Sequence, residues 1–287
     1  MYGALKDVAV IIDGEDPLVD AVQAGVALRL AHHHGAHVKV FEQGGADRLG
    51  QLAWIDDLEL PPYAGVEICG ISHEPPMGRH GLRSPLSELL HEARQSGHWG
   101  KRAETNELLQ ALRCTDLVVA GSPLTSEVGA KPDPEDIVTR VGRPVLIIPR
   151  KFAQRRSTER RIGHRVLIAW DASAPSARAV HDAMPFLRQA EEITLLYVDR
   201  GHDRTKGRHI IGPIADHLAS HDVKVQSEIM PAGEAGASKV ILERLGELDI
   251  NLLVMGAYSR SRLAESWFGG VSEELLHAAQ IAILTSH

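Results

Sequence analysis

At 287 residues the chain is large for one hydrophobic core and comfortable for two. Its 44% apolar and 24% charged residues are the balance of an ordinary globular protein, and a net charge of −7 argues against a general nucleic-acid binder. Cys69 and Cys114 are too few for a disulfide framework, no stretch approaches the roughly twenty apolar residues of a membrane span, and the start MYGALKDVAV lacks a leader's basic-then-apolar pattern, so a cytoplasmic location is expected.

In chain order, Val8–Asp13 is a short apolar run of the buried-strand kind that ends in an Asp, with Pro17 four residues on. Ala21-Val22 open a helical run to about Leu30, and His37–Phe41 reads as a second strand. Gly44–Gly81 is rich in Gly and Pro and is expected to be an excursion with one strand near Gly65–Ile71, serving as a lid, a partner surface or a variable loop. Asp116–Gly121 and Val145–Ile148 are further strands. Arg150–Arg165 carries seven basic residues against one Glu and lacks apolar periodicity, which predicts a solvated or salt-bridged linker.

The same order then recurs. Val166–Asp171 repeats the strand ending in Asp, with Pro175 four residues later, and a helical run from Ala179-Val180 reaches about Leu187. Ile193–Val198, Ile250–Met255 with Gly256, and Ile281–Thr285 are the matching strands, offset by about 158 residues at the start. Strands alternating with helices imply parallel sheets built by right-handed crossovers. The expectation is an α/β protein of two tandem doubly wound parallel-sheet domains, residues 1–150 and 164–287, joined by a linker at 151–163.

In the second half, glycines stand at a strand end (Gly256) and before a helix (Gly269, Gly270), where close backbone approach is needed. A helix starting near Val271 would aim free N–H groups and the positive end of its dipole outward, an anion site to which Ser272 could add its hydroxyl. Arg260 and Arg262 would add positive charge. In doubly wound sheets ligands bind at the carboxyl ends of the strands, so Asp171 would open onto the same crevice.

Gly256, two residues, Ser259, nine residues, Gly269, Gly270, Val271-Ser272, together with Ile168-Ala-Trp-Asp171, resembles the nucleotide-binding universal stress proteins. Their pattern is Gly, two residues, Gly, nine residues, Gly, then Ser or Thr. The resemblance covers residues 164–287 and, in weaker form, 1–150. It implies the adenine nucleotide alpha hydrolase-like fold and a stress-response regulatory protein that binds ATP or a related adenine nucleotide in its second half. Magnesium would accompany the nucleotide, and chemistry would not go beyond slow ATP hydrolysis. By resemblance, Ala169, Asp171 and Val198 surround the adenine, Met255 and Gly256 flank the ribose, and Ser259, Gly269, Gly270, Val271 and Ser272 wrap the phosphates. It also implies that Val145–Ile148 and Ala282–Thr285 exchange pairing between the halves, giving a pseudo-twofold intramolecular dimer; a further homodimer and unidentified protein partners are compatible with it.

Two positions depart from the pattern. Ser259 stands where the second Gly is expected, and Gly270 replaces a hydroxyl residue, removing one donor to phosphate. The competing reading is therefore an interaction scaffold of the same family that binds no nucleotide. In the first half Gly121 has no glycine pair after it, Pro132 and Pro134 lack N–H groups, and Glu135 and Asp136 suit a self-capped helix start, so no nucleotide is expected there. His32, His33, His34 and His37 form the densest histidine cluster, but adjacent helical residues point apart. His73, His80, His91 and His98 are scattered, neither Cys is in a CxxC pattern, and no metal site is expected. No hydrolase elbow or Walker-type loop is present.

Overall fold

The computed structural model describes residues 5–12, 17–42, 66–69, 105–121, 134–154, 161–201, 204–257 and 270–287. They fall in two compact units, Gly3–Arg143 and Pro144–His287.

The first unit runs β1 (Asp7–Ile12), α1 (Pro17–His34), β2 (His37–Glu42), β3 (Val66–Cys69), α2 (Thr105–Leu112), β4 (Leu117–Gly121) and α3 (Pro134–Val141). Its strands lie in the order β3-β2-β1-β4 and all its pairs are parallel. β1 and β4 are buried from end to end save their terminal residues, as expected of strands covered on both faces. Helix α1 packs on β1, β4 and β2. Its buried set runs through Val19, Val22, Ala24, Val26, Ala27 and Leu28 and takes in Asp20 (2% exposed) and Gln23 (1%). α3 begins at Pro134, a residue suited to a first helical turn. The histidine run closes α1, with His32 and His33 exposed. Of the Gly44–Gly81 excursion only β3 lies within the described residues; His73, His80, His91, His98, Asp13 and Pro132 lie outside them.

The second unit runs β5 (Val145–Ile148), α4 (Arg150–Gln154), β6 (Arg165–Ala169), α5 (Ala174–Asp182), α6 (Met184–Leu187), β7 (Glu192–Asp199), α7 (Arg204–Ser220), β8 (Gln226–Pro231), α8 (Gly236–Glu247), β9 (Leu252–Gly256), α9 (Gly270–Ala278) and β10 (Ala282–Ser286). The strand order is β8-β7-β6-β9-β10-β5, parallel except between β10 and β5. The closing strands thus pair with each other, Leu284 opposite Leu146, while β10 keeps β9 as its parallel neighbour. The helical run expected to reach Leu187 without interruption breaks at Ala183. Pro185 has no N–H to give and its ring crowds the carbonyl of His181, so the chain restarts as α6. Of the basic connector, residues 155–160 lie outside the description. Arg161 donates to the Gln189 side chain (2.9 Å), His164 meets Glu191 (2.8 Å), and Arg165 bonds Leu248 O (3.1 Å) and Glu192 (3.2 Å). No helix among the described residues is long and apolar enough to cross a membrane.

One device recurs in both units. The residue preceding β4, Asp116, accepts the backbone N–H groups of Lys6 (2.7 Å) and Asp7 (3.0 Å) while donating its own N–H to Asp7 O (2.8 Å). The residue preceding β9, Asn251, accepts from Gly163 (3.2 Å) and Arg165 (3.1 Å) and donates its N–H to Arg165 O (3.0 Å). Its Nδ2 adds a bond to Arg161 O (2.9 Å). Each side chain satisfies the donors at the start of the central strand, which sets where β1 and β6 enter their sheets. Asn251→Ala leaves two part-buried N–H groups without this acceptor and is expected to cost about 1–3 kcal/mol in chemical denaturation, whereas Asn251→Asp keeps the acceptor and should cost less.

Candidate functional site

The site expected from the sequence lies at the carboxyl ends of β6, β7 and β9. Side chains alternate across a strand, and residues in register on parallel neighbours share a face. Gly256 faces α5, so Met255 faces the other way. Met255 is in register with Ala169, Ala169 with Leu196, and Val198 follows two residues on. Met255, Ala169, Leu196 and Val198 therefore make one apolar row on the face opposite α5. Met255 is buried, while Ala169 and Val198 are half-buried. Thr285, in register with Met255, extends the row with a fully buried hydroxyl that has no hydrogen-bond partner among the described residues.

The turn after β6 is tightly built. Asp171 is exposed and its Oδ1 accepts the Ser173 N–H (2.9 Å). Ala172 takes a left-handed φ of 60°, which a β-carbon disfavours. Ser173 caps α5: its Oγ accepts from Ser176 N–H (3.2 Å), and Ser176 Oγ donates back to Ser173 O (2.9 Å).

Two aromatic residues, Trp170 and Tyr197, are absent from the site expected from the sequence, and the first of them braces this turn. Trp170 N–H donates to Leu196 O (2.9 Å), and its indole Nε1 donates to Ile210 O in α7 (3.1 Å), three residues before Pro213 interrupts the helix ladder. Tyr197 lies on the face toward α7, where a β-carbon on Gly207 would stand 3.4 Å from its ring and 2.9 Å from Ile229 Cγ2. Burial pushes the Tyr197 hydroxyl above its ordinary pKa; Asp199 and Asp171 add to the rise and Arg200 opposes it. Asp199 is itself buried and accepts Gly201 N–H (2.9 Å). An indole one residue before a strand-end Asp was the available signal.

Gly256 has a packing reason to be glycine. A β-carbon there would fall 2.6 Å from Pro175 C and 2.8 Å from Ser176 Cα, and against Ser176 N. At the end expected from the sequence to take the phosphates, α9 starts at Gly270, which is exposed and where an added β-carbon meets nothing within 4 Å. Val271 and Ser272 are half-buried in its first turn, and Glu273 is exposed beside them. The first-turn N–H groups of a helix have no intrahelical partners, so this end can receive an anion. Glu274 instead faces α8, accepting the Ser238 hydroxyl. Ser259 and Gly269, with Arg260 and Arg262, lie outside the described residues. Among the described residues no group of three or more His, Cys, Asp or Glu could hold a metal ion.

Residues 163–287 match the model of the universal stress protein family. No curated protein matches the chain in sequence. Among solved structures, a universal stress protein from Archaeoglobus fulgidus is similar with a TM-score of 0.59 at 14% identity, covering 96% of this chain and 97% of that one. A functionally unknown protein from Pseudomonas aeruginosa is similar at 0.57 and 15%, covering 99% and 92%. At these identities the likeness shows the fold. Gly256→Ala is expected to destabilise the protein by about 1–3 kcal/mol or more, since backbone must move, whereas Gly270→Ser should change stability by no more than about 0.5 kcal/mol; thermal unfolding of the two variants checks the contrast.

Proposed function

We propose, on the premise that residues 163–287 are a universal stress protein domain, that the chain is a stress-response regulatory protein binding ATP or a related adenine nucleotide in its second unit. The observation that supports this most is the shared face of Met255, Ala169 and Val198, with Asp171 at the end of β6 and an open first turn at Gly270. The apolar row would take the adenine, Asp171 its amino group, Met255 and Gly256 the ribose side, and the N–H groups of Gly269, Gly270, Val271 and Ser272 the phosphates, with Ser259 beside them. A magnesium ion would travel with the phosphates. We read the chain further as a tandem pair of related domains, cytoplasmic and regulatory rather than catalytic.

A second reading, a scaffold of the same family without nucleotide, draws on Gly256. Its glycine is required by α5 alone, so that part of the motif needs no ligand to explain it. Equilibrium dialysis with labelled ATP separates the two. The first reading expects saturable binding that Gly269→Asp weakens at least tenfold and that Gly270→Ser, which returns the missing hydroxyl, tightens by about tenfold. No saturable binding at millimolar ATP, or binding indifferent to both variants, leaves the scaffold.

A further inference from the structure

We propose that Gln23 is an internal wedge that takes over a backbone rung between β1 and β4 and so closes the first unit to the ligand proposed for the second. The binding half of this statement rests on the nucleotide reading; the wedge itself does not.

The β1–β4 ladder runs from Val8 opposite Leu117 to Val10 opposite Val119 and stops, although both strands continue. The next parallel rung would join Gly121 N–H to Ile11 C=O. The amide of Gln23 stands in that place. Oriented to satisfy both partners, its nitrogen donates to Ile11 O at 2.7 Å and its oxygen accepts from Gly121 N–H at 3.1 Å. On its other edge β1 stays paired with β2 as far as Ile12 opposite Glu42, so the opening is on the β4 side only. Gln23 is 1% exposed, which makes the inserted amide part of the core.

The second unit keeps this rung. Ile11 and Ala120 correspond, by offsets of 158 and 135 residues, to Ala169 and Met255, which are in register. These are the two residues proposed to floor the adenine. The counterpart of Gln23 is His181, whose side chain is 53% exposed, so no side chain is inserted from that position. The glycines that end β4 and β9 serve different neighbours accordingly. Gly256 admits the backbone of α5, whereas Gly121 admits the Gln23 amide, with Val19 Cγ1 the next atom of α1 at 3.6 Å. With the amide between them Ile11 and Ala120 are not paired, so the continuous floor that Ala169 and Met255 form in the second unit is not formed in the first.

Through-hydrogen-bond scalar coupling in the labelled full-length protein tests the wedge directly. The Gly121 amide nitrogen is expected to couple to the side-chain carbonyl carbon of Gln23; coupling to the Ile11 carbonyl carbon overturns the proposal. Titrating ATP into the same sample should shift the Gly256 and Ala169 resonances and leave those of Gly121 and Gln23 in place. ATP that perturbs Gly121 as strongly as Gly256 also overturns it. ATP that moves neither set sinks the nucleotide reading, while the coupling still decides whether the wedge exists.

Discussion

Backbone lies almost on backbone where the first turn of α5 crosses the last residue of β9, and the rest of the candidate site hangs from that contact. The helix can come so close because residue 256 has no side chain. Once α5 is seated there, the chain leaving β6 has three residues, Trp170, Asp171 and Ala172, in which to reach its Ser173 cap. The left-handed Ala172 is the strain of that short path, of the order of 1 kcal/mol. The Asp171 carboxylate, the Ser173 cap and the Trp170 indole each supply a hydrogen bond that offsets it. A carboxylate at the end of β6 is thus positioned by packing on one face of the sheet while the apolar row it borders lies on the other.

The two units solve one topological problem with different side chains. Both begin with an acceptor on the residue before the fourth strand, Asp116 or Asn251, that gathers the first backbone donors of the central strand. Both end that fourth strand in glycine. They diverge at the carboxyl edge, where one unit inserts a glutamine and the other lets the helix itself descend. Since ligands of doubly wound sheets bind at that edge, the divergence sits where function is decided.

Much of the architecture was legible in the residues. The apolar runs at 8–12 and 166–169 are buried central strands, and the strand expected near 65–71 falls at 66–69. Strand ends were off by a residue or two, because the alternation that marks a boundary is lost when both faces are buried. The break at Ala183 was signalled by Pro185 but hidden by apolar neighbours that continue the helical pattern. Gly256 was legible as a position of close approach, and the backbone it admits is that of α5. Gln23 was not legible, since one polar residue in an apolar helix normally marks the solvent side. Only the near-complete burial of α1 turns it inward. Trp170 and Thr285 were missed for a similar reason: their importance lies in one donor or acceptor atom, which residue type does not reveal.

The inserted amide also bears on how the first unit assembles. Ile11 and Gly121 are more than a hundred positions apart in the chain, and their rung is completed through a third segment. Because the atoms that complete it belong to α1, the edge of the sheet cannot finish before the helix has docked, and the helix gains its last polar contacts only when β4 has arrived. Helix docking and strand pairing are thereby locked into one cooperative event, and partial unfolding of either would expose the other.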